Sequence, residues 1–365
     1  MLLPTILSAL LAIAPVSASY HRRAVCTPPT GADEAGDDAR AINTAIVECG
    51  AGGRIVLPAN KTYSITGALD FTPCKSCELE INGLVQLVSD WDNWFATDAV
   101  FPLHNVKAVT ISGSGTVDAQ YFGLSPGSLV PFSDIKLFSF REQSSQITIK
   151  GIKVQNVPGT AFTVAGGSSD LHFTDIEILN EARIGYEIQD ARNVYISKGI
   201  IRAGEICVRL AANSTDIQIE DSTCIVNGTL NGGGRNSGIE FTFGSQANNV
   251  WSQWVRNVYA KGIKFIGDLD AVSFRGGSDK EVRAEVRNAT FTDIVLEGPV
   301  RRPVYMGEGF FGDGGCGLAK CTKWNVTDVT LKKFAGIAVE HTALVCEESG
   351  DVCEFVTEGW NVTYT

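Results

Sequence analysis

The chain is poor in groups that carry redox, metal or nucleophilic chemistry. It holds four histidines and two methionines in 365 residues, and no serine or cysteine stands at a recognisable spacing from a histidine base. His21 lies near the amino terminus, and His104, His172 and His341 sit singly in strand-like contexts that read as structural. Positive charge is also short. Thirty Lys and Arg against 41 Asp and Glu leave a net charge of −11. That balance favours solubility and argues against nucleic acid as a partner, because phosphate binding needs a basic face. After residue 18 no apolar run is long enough to span a bilayer, so no membrane partner is expected. The glycine-rich run Asn231-Gly-Gly-Gly-Arg235 lacks a following Lys-Ser/Thr before a helix, so it reads as a flexible insertion and not as a phosphate loop. No cofactor or metal is expected.

What is present points to export. Leu2 to Ala18 is apolar and closes on the small-residue pattern Val16-Ser17-Ala18, so residues 1–18 read as a signal peptide. His21-Arg22-Arg23 makes 19–23 a dibasic-processed segment, with the mature chain, 24–365, beginning near Ala24. All ten cysteines follow the signal, and in a secreted chain an even set reads as disulfides. Local spacing suggests Cys74–Cys77, Cys207–Cys224, Cys316–Cys321 and Cys346–Cys353, which leaves Cys26 with Cys49. Zinc is the rival reading for Cys74-Lys-Ser-Cys77, but no histidine or second such pair accompanies it. Six Asn-x-Ser/Thr acceptors, at Asn60, Asn213, Asn227, Asn288, Asn325 and Asn361, fit a secreted glycoprotein.

A chain of this length is too long for one compact core and suits two domains or one elongated repeat domain. Short apolar–polar alternations settle which: Gln146-Ile-Thr-Ile149, Leu171-His-Phe173, Asn193-Val-Tyr-Ile196 and Asp216-Ile-Gln-Ile219 recur with a period of about 23 residues. Asn257-Val-Tyr, Asn288-Ala-Thr-Phe291 and Asp328-Val-Thr-Leu331 continue the phase past insertions. Runs rich in Val, Ile, Phe and Thr, broken by Gly, Asn or Asp, are strands. A repeat of this length without a helical stripe is an all-β solenoid whose coils must stack to bury their inner faces. The Leu-x-x-Leu-x-Leu pattern of a leucine-rich horseshoe is missing. One helix is expected, Asp37 to Cys49, with Ala41, Ile42, Ala45 and Ile46 as its stripe and Asp37 or Asp38 as its cap. It would cover the open first coil, whose strand edges are otherwise unpaired.

Several segments in order resemble the polygalacturonase family, glycoside hydrolase family 28. Asp38-Ala-Arg-Ala-Ile-Asn-Thr-Ala-Ile46, Cys49-Gly-Ala-Gly-Gly53 and Ile55-Val-Leu-Pro58 resemble its cap and first strand. Gly113-Ser-Gly-Thr-Val-Asp118 resembles its early glycine-rich turn, Asn193-Val-Tyr-Ile-Ser197 its repeated strand, and Pro303-Val-Tyr-Met306 and Leu331-Lys-Lys-Phe-Ala-Gly336 its late coils. The resemblance implies a single right-handed parallel β-helix and glycosidase activity on pectic polysaccharide. It also locates four departures. The family's Asn-Thr-Asp-Gly falls on Ala182-Arg183-Ile184-Gly185, its Asp-Asp-Cys on Glu205-Ile206-Cys207, its Gly-His-Gly near Asn236-Ser237-Gly238, and its Arg-x-Lys on Ser273-Phe274-Arg275. The rhamnogalacturonan-cleaving branch also lacks the histidine and carries Asp-Glu-Cys.

Strand alternation gives the facing of these residues. Ile184, Tyr186, Ile188, Ile206, Val208, Leu210, Ile239, Phe241, Phe243, Val272 and Phe274 are expected inside. Arg183, Glu187, Glu205, Cys207, Arg209, Glu240, Ser273 and Arg275 are expected outside, on one face. Inverting hydrolysis needs one protonated and one ionised carboxyl roughly 6.5–9.5 Å apart. Glu205 with Glu187 or Glu240 would supply the pair. A neighbouring carboxylate raises the pKa of a general acid, and a neighbouring guanidinium opposes it. Arg183, Arg209, Ser273 and Arg275 are the candidate substrate contacts, with Arg209 and Arg275 suited to fork onto a uronate carboxylate. The bland alternative is an exposed Glu–Arg ladder, worth about 0–1 kcal/mol per pair. Trp251 and Trp254 are candidates for stacking on sugar rings, or for core or interface positions. The sequence thus leads to a secreted, monomeric hydrolase of pectic or related acidic polysaccharide. A catalytically inactive binder and a family member redirected to another reaction are the rivals.

Overall fold

The computed structural model describes residues 23–31, 36–88, 94, 97–120, 135–226, 236–244, 252–276, 282–308, 322–344, 346 and 351–365. The signal segment, most of 19–23, Trp251, the 231–235 run, Asn227, Cys316 and Cys321 lie outside them. Twenty-eight strands and one helix are found there, and the strands pair in parallel, from Val25 beside Arg54 to Ala338 beside Tyr364. The strands wind into a right-handed parallel β-helix.

The repeat inferred from the sequence is the register itself. Ile147 stands beside Leu171, Leu171 beside Val194, and Val194 beside Ile217. Val258, Ala289 and Val329 continue the row. Immediately before each of these positions the backbone turns into the left-handed region, at Gln146, Asp170, Asn193, Asp216, Asn257, Asn288 and Asp328, with φ between 53° and 59°. Asn and Asp tolerate this conformation and bond locally, which is why they punctuate the repeat. Their side chains also bond between coils: Asn193 Nδ2 donates to Asp170 Oδ1 at 2.9 Å, and Asn288 Nδ2 to Asn257 Oδ1 at 2.8 Å.

Inside the tube, like residues stack on like. Phe101, Phe138, Phe162 and Tyr186 form one column with centroids 4.4, 4.9 and 5.0 Å apart, close to the spacing of neighbouring strands. Among the described residues four disulfides join Cys26 to Cys49, Cys74 to Cys77, Cys207 to Cys224 and Cys346 to Cys353. The zinc alternative for Cys74 and Cys77 falls with their bond.

The helix spans Ala39–Cys49, two residues shorter than expected at its start. Its buried residues are Ala39, Ile42, Ala45, Ile46 and Cys49; Ala41 is only half-buried. Asp38 occupies the N-cap position without capping the helix. Its carboxylate instead accepts from the amides of Gly31 and Ser64, pinning the entering chain to the strand Thr62–Ile65. Asp37 accepts from the Ala39 amide at 3.0 Å and from the Thr66 amide. No helix among the described residues is long and apolar enough to cross a membrane.

Candidate active site

One sheet of the tube carries the residues of interest. Its strands are Ala99–His104, Lys136–Arg141, Thr160–Val164, the ends of Glu177–Ile188 and Ile200–Ala211, then Ser237–Thr242, Asp270–Gly276 and Arg302–Glu308. Register places Pro102, Ser139, Thr163, Glu187, Arg209, Glu240, Ser273 and Tyr305 in one row, one residue per coil. The seven candidate catalytic and substrate-contact residues, Arg183, Glu187, Glu205, Arg209, Glu240, Ser273 and Arg275, lie on this sheet, and Glu205 and Arg275 share its outer flank.

The expected alternation breaks at a bend. Gly185 faces inward: a methyl there would meet the Ile201 side chain at 2.6 Å. At Gly238 it would collide with the Phe265 ring. Tyr186 and Ile239, the next residues, also face the core. Two successive inward residues turn the preceding position outward. Ile184 and Ile206 were expected inside; each is 3% exposed, yet neither joins the contiguous core. They stand in the outer row that continues through Ser237, Asp270 and Arg302. Cys207 was expected outside and is instead buried in the bend, bonded to Cys224 of the neighbouring coil.

The acidic and basic side chains interlock. Arg183 Nε meets Glu205 Oε2 at 2.8 Å. Arg209 bridges Glu187 and Glu240, at 3.4 Å to each. Arg275 bridges Glu240 at 3.1 Å and Asp270 at 2.8 Å, and Arg302 extends the chain from Asp270 to Glu340. Glu240 also accepts from Ser237 Oγ and from Thr242 Oγ1 at 2.6 Å. The guanidinium groups of Arg275 and Arg302 both lie over the Tyr305 ring, 4.9 and 4.5 Å from its centroid.

Exposure divides this network. The side chains of Glu205 and Glu187 are 21% and 24% exposed, whereas Glu240 and Asp270 are 2% and 1% exposed. Ser273 and Arg275 are buried as well. The open ladder expected from alternation therefore holds only at the Arg183–Glu205 and Glu187–Arg209 end. From Glu240 onward the row is a closed ionic cluster, where the loss of one partner would strand a buried charge. Burial pushes the Asp270 carboxyl above its ordinary range, against the opposing pull of Arg275, Arg301 and Arg302.

Asp270, Arg302, Tyr305 and Glu340 were not singled out from the sequence. Strict alternation counts Asp270 inward, two residues before Val272, and only the bend reverses it. Trp254 does not border this sheet. It lies on Ser252–Lys261 under the Arg256 guanidinium, itself paired with Glu285. Among the described residues no three His, Cys, Asp or Glu groups gather as metal ligands.

Residues 49–365 match the family described as glycosyl hydrolases family 28. A curated relative, "Probable endo-xylogalacturonan hydrolase A" of Aspergillus flavus, is 28% identical over 295 residues, covering 76% of this chain and 68% of the relative. Among solved structures, the endo-xylogalacturonan hydrolase of Aspergillus tubingensis superposes with a TM-score of 0.81 at 22% identity, over 93% of each chain. The polygalacturonase of Erwinia carotovora superposes with a TM-score of 0.69 at 15% identity, again over 93% of each. At such identities these superpositions speak for the fold.

Proposed function

Because the chain belongs to glycosyl hydrolases family 28, we propose that it is a secreted glycoside hydrolase acting on a uronate-bearing pectic polysaccharide, with xylogalacturonan the first substrate to try. The observation that carries this reading is the pair of solvent-reachable carboxylates, Glu205 and Glu187, on one outer flank beside Arg183 and Arg209. A carboxyl must touch the glycosidic oxygen or the attacking water to act on either. Glu205 and Glu187 have that access. Glu240 stands two coils from Glu187, about 10 Å by strand spacing, but it is sealed under two arginines. Its role in this reading is to hold Arg209 and Arg275 in place. Arg209, at the edge of the closed cluster, is the guanidinium best placed to meet a substrate carboxylate. Arg275 supports it indirectly by pairing with Glu240, and Ser273 by bonding Ser237, which itself donates to Glu240.

The relatives' names favour xylogalacturonan over unsubstituted polygalacturonan. Export rests on the signal pattern of residues 1–18, processing at Arg23, the disulfides and the six acceptor asparagines. A monomer is the simplest state.

The reading predicts that the mature protein releases reducing ends from xylogalacturonan, polygalacturonan or rhamnogalacturonan, and that Glu205→Gln lowers kcat by at least a hundredfold, the lower range for a general acid or base. Unchanged turnover in Glu205→Gln would remove that residue from the chemistry. A second reading, polysaccharide binding without turnover, is favoured by Ile184 and Ile206, apolar side chains at the positions where the family resemblance places aspartates. Retention on immobilised polysaccharide with no reducing ends would select it.

A further inference from the structure

We propose that His104, Lys136 and Arg141 form a second anchoring point for a uronate carboxylate, at the amino-terminal end of the same face and remote from Glu205. The proposal rests on the reading that the ligand is an acidic polysaccharide, and does not require that it be cleaved. Lys136 and Arg141 are the two ends of one strand of the cleft sheet, and His104 pairs with Arg141 across the ladder. All three converge on one carboxylate. Asp98 lies 3.5 Å from Lys136 Nζ, 3.2 Å from an Arg141 terminal nitrogen and 3.5 Å from His104 Nε2. Two permanent cations and an imidazole against one half-exposed acid leave surplus positive charge. Elsewhere on the face each arginine is matched by at least one carboxylate of its own.

A second observation points the same way. Ser139 and Thr163 bridge the gap between this cluster and Glu187 in the outer row. Ser139 Oγ lies 3.2 Å from His104 Nε2. The Thr163 hydroxyl is buried and has no hydrogen-bond partner among the described residues. It faces outward, because Phe162 and Val164 on either side are core. An unpaired buried hydroxyl costs about 1–3 kcal/mol, and a sugar hydroxyl laid along the row would relieve it. Lys136 stands two coils before the Glu177–Ile188 strand and three before Ile200–Ala211, roughly 10 and 14 Å by strand spacing. A polymer, not a single sugar, is therefore the class of ligand that would touch both ends.

The test measures binding of fully de-esterified polygalacturonate and of its fully methyl-esterified form to the full-length Glu205→Gln protein. In that background, Lys136→Gln with Arg141→Gln should weaken the acidic polymer roughly tenfold, about 1.4 kcal/mol, and leave the ester unchanged. Asp98→Asn should tighten the acidic polymer, since it removes the competing carboxylate. The charge-conserving pair Lys136→Arg and Arg141→Lys should retain binding, which separates lost charge from misfolding. High salt should erase the difference. Equal binding by the doubly neutralised variant, or weaker binding by Asp98→Asn, overturns the anchor and leaves the hydrolase reading standing. Charge-dependent binding without any reducing ends from the wild type does the reverse. A wild-type face that takes neither polymer overturns the anchor, and one that also releases no reducing ends from xylogalacturonan overturns both.

Discussion

Single side chains in the tube carry costs that substitution can expose. The Tyr186 phenol lies in the aromatic column, fully buried, with no hydrogen-bond partner among the described residues, and burial raises its pKa. Tyr186→Phe keeps the ring stack and removes the stranded hydroxyl. It should raise stability by about 1 kcal/mol, or at worst be neutral, read as the midpoint of chemical denaturation. Asp170 is the opposite case. The amide of Asn193, with Ser169, Arg192 and His172, holds its carboxyl below the ordinary value of 3.8. A depressed folded pKa gives stability that is complete above the unfolded value and lost as pH falls through the folded one. Asn193→Ala should therefore flatten the loss of stability below about pH 4, and the Asp170 carboxyl should titrate higher by NMR. These two residues also mark how far sequence reading goes. The Asn and Asp punctuation was visible because left-handed backbone selects those residue types. A stranded hydroxyl leaves no such trace, since whether it meets a partner depends on the side chains of other coils.

At the scale of the strand, the bend after Ile184, Ile206, Ser237 and Asp270 decides what the face presents. Alternation correctly placed Tyr186, Val208, Ile239 and Val272 inside and Glu187 and Arg209 outside, because period two holds along a straight strand; Arg183 and Glu205 also lie outside, but beside outward neighbours at the bend. It failed at Ile184, Ile206 and Cys207, where the chain turns between sheets and two successive residues face inward. It also treated an outward residue as an exposed one. Glu240, Ser273 and Arg275 show the error: burial on the outside of a tube depends on what neighbouring coils lean over it, which a single-strand pattern omits. Gly238 makes the bend testable. Gly238→Ala would drive a methyl into the Phe265 ring and to 2.5 Å from the Ala271 carbonyl oxygen. It should cost about 1–3 kcal/mol as an overpacked core does, with loss of activity following the displaced Ser237 and Glu240.

For the whole molecule, stacking makes the ends special. The first coil is covered by the helix Ala39–Cys49 through Ile42 and Ile46, both fully buried, and the Cys26–Cys49 bridge ties the first strand to it. Ile42→Asp with Ile46→Asp should lift the helix from the tube. The uncovered parallel edge should then drive association, seen as growth in light scattering before any loss of strand signal by circular dichroism. The overall architecture was legible because every coil repeats the same demand on the sequence; the ionic cluster around Asp270 was not, because it belongs to no repeat.

The one-residue-per-coil register has a further consequence for how such a face can change. Side chains along the row from Pro102 to Tyr305 sit on a scale graduated in strand spacings, about 4.8 Å each. A substitution can exchange the chemistry at a graduation but cannot slide it. Moving a charge to a new distance from Glu205 means recruiting the next coil, so polymers of different charge spacing would be told apart by which graduations are occupied and not by adjustment of any one of them.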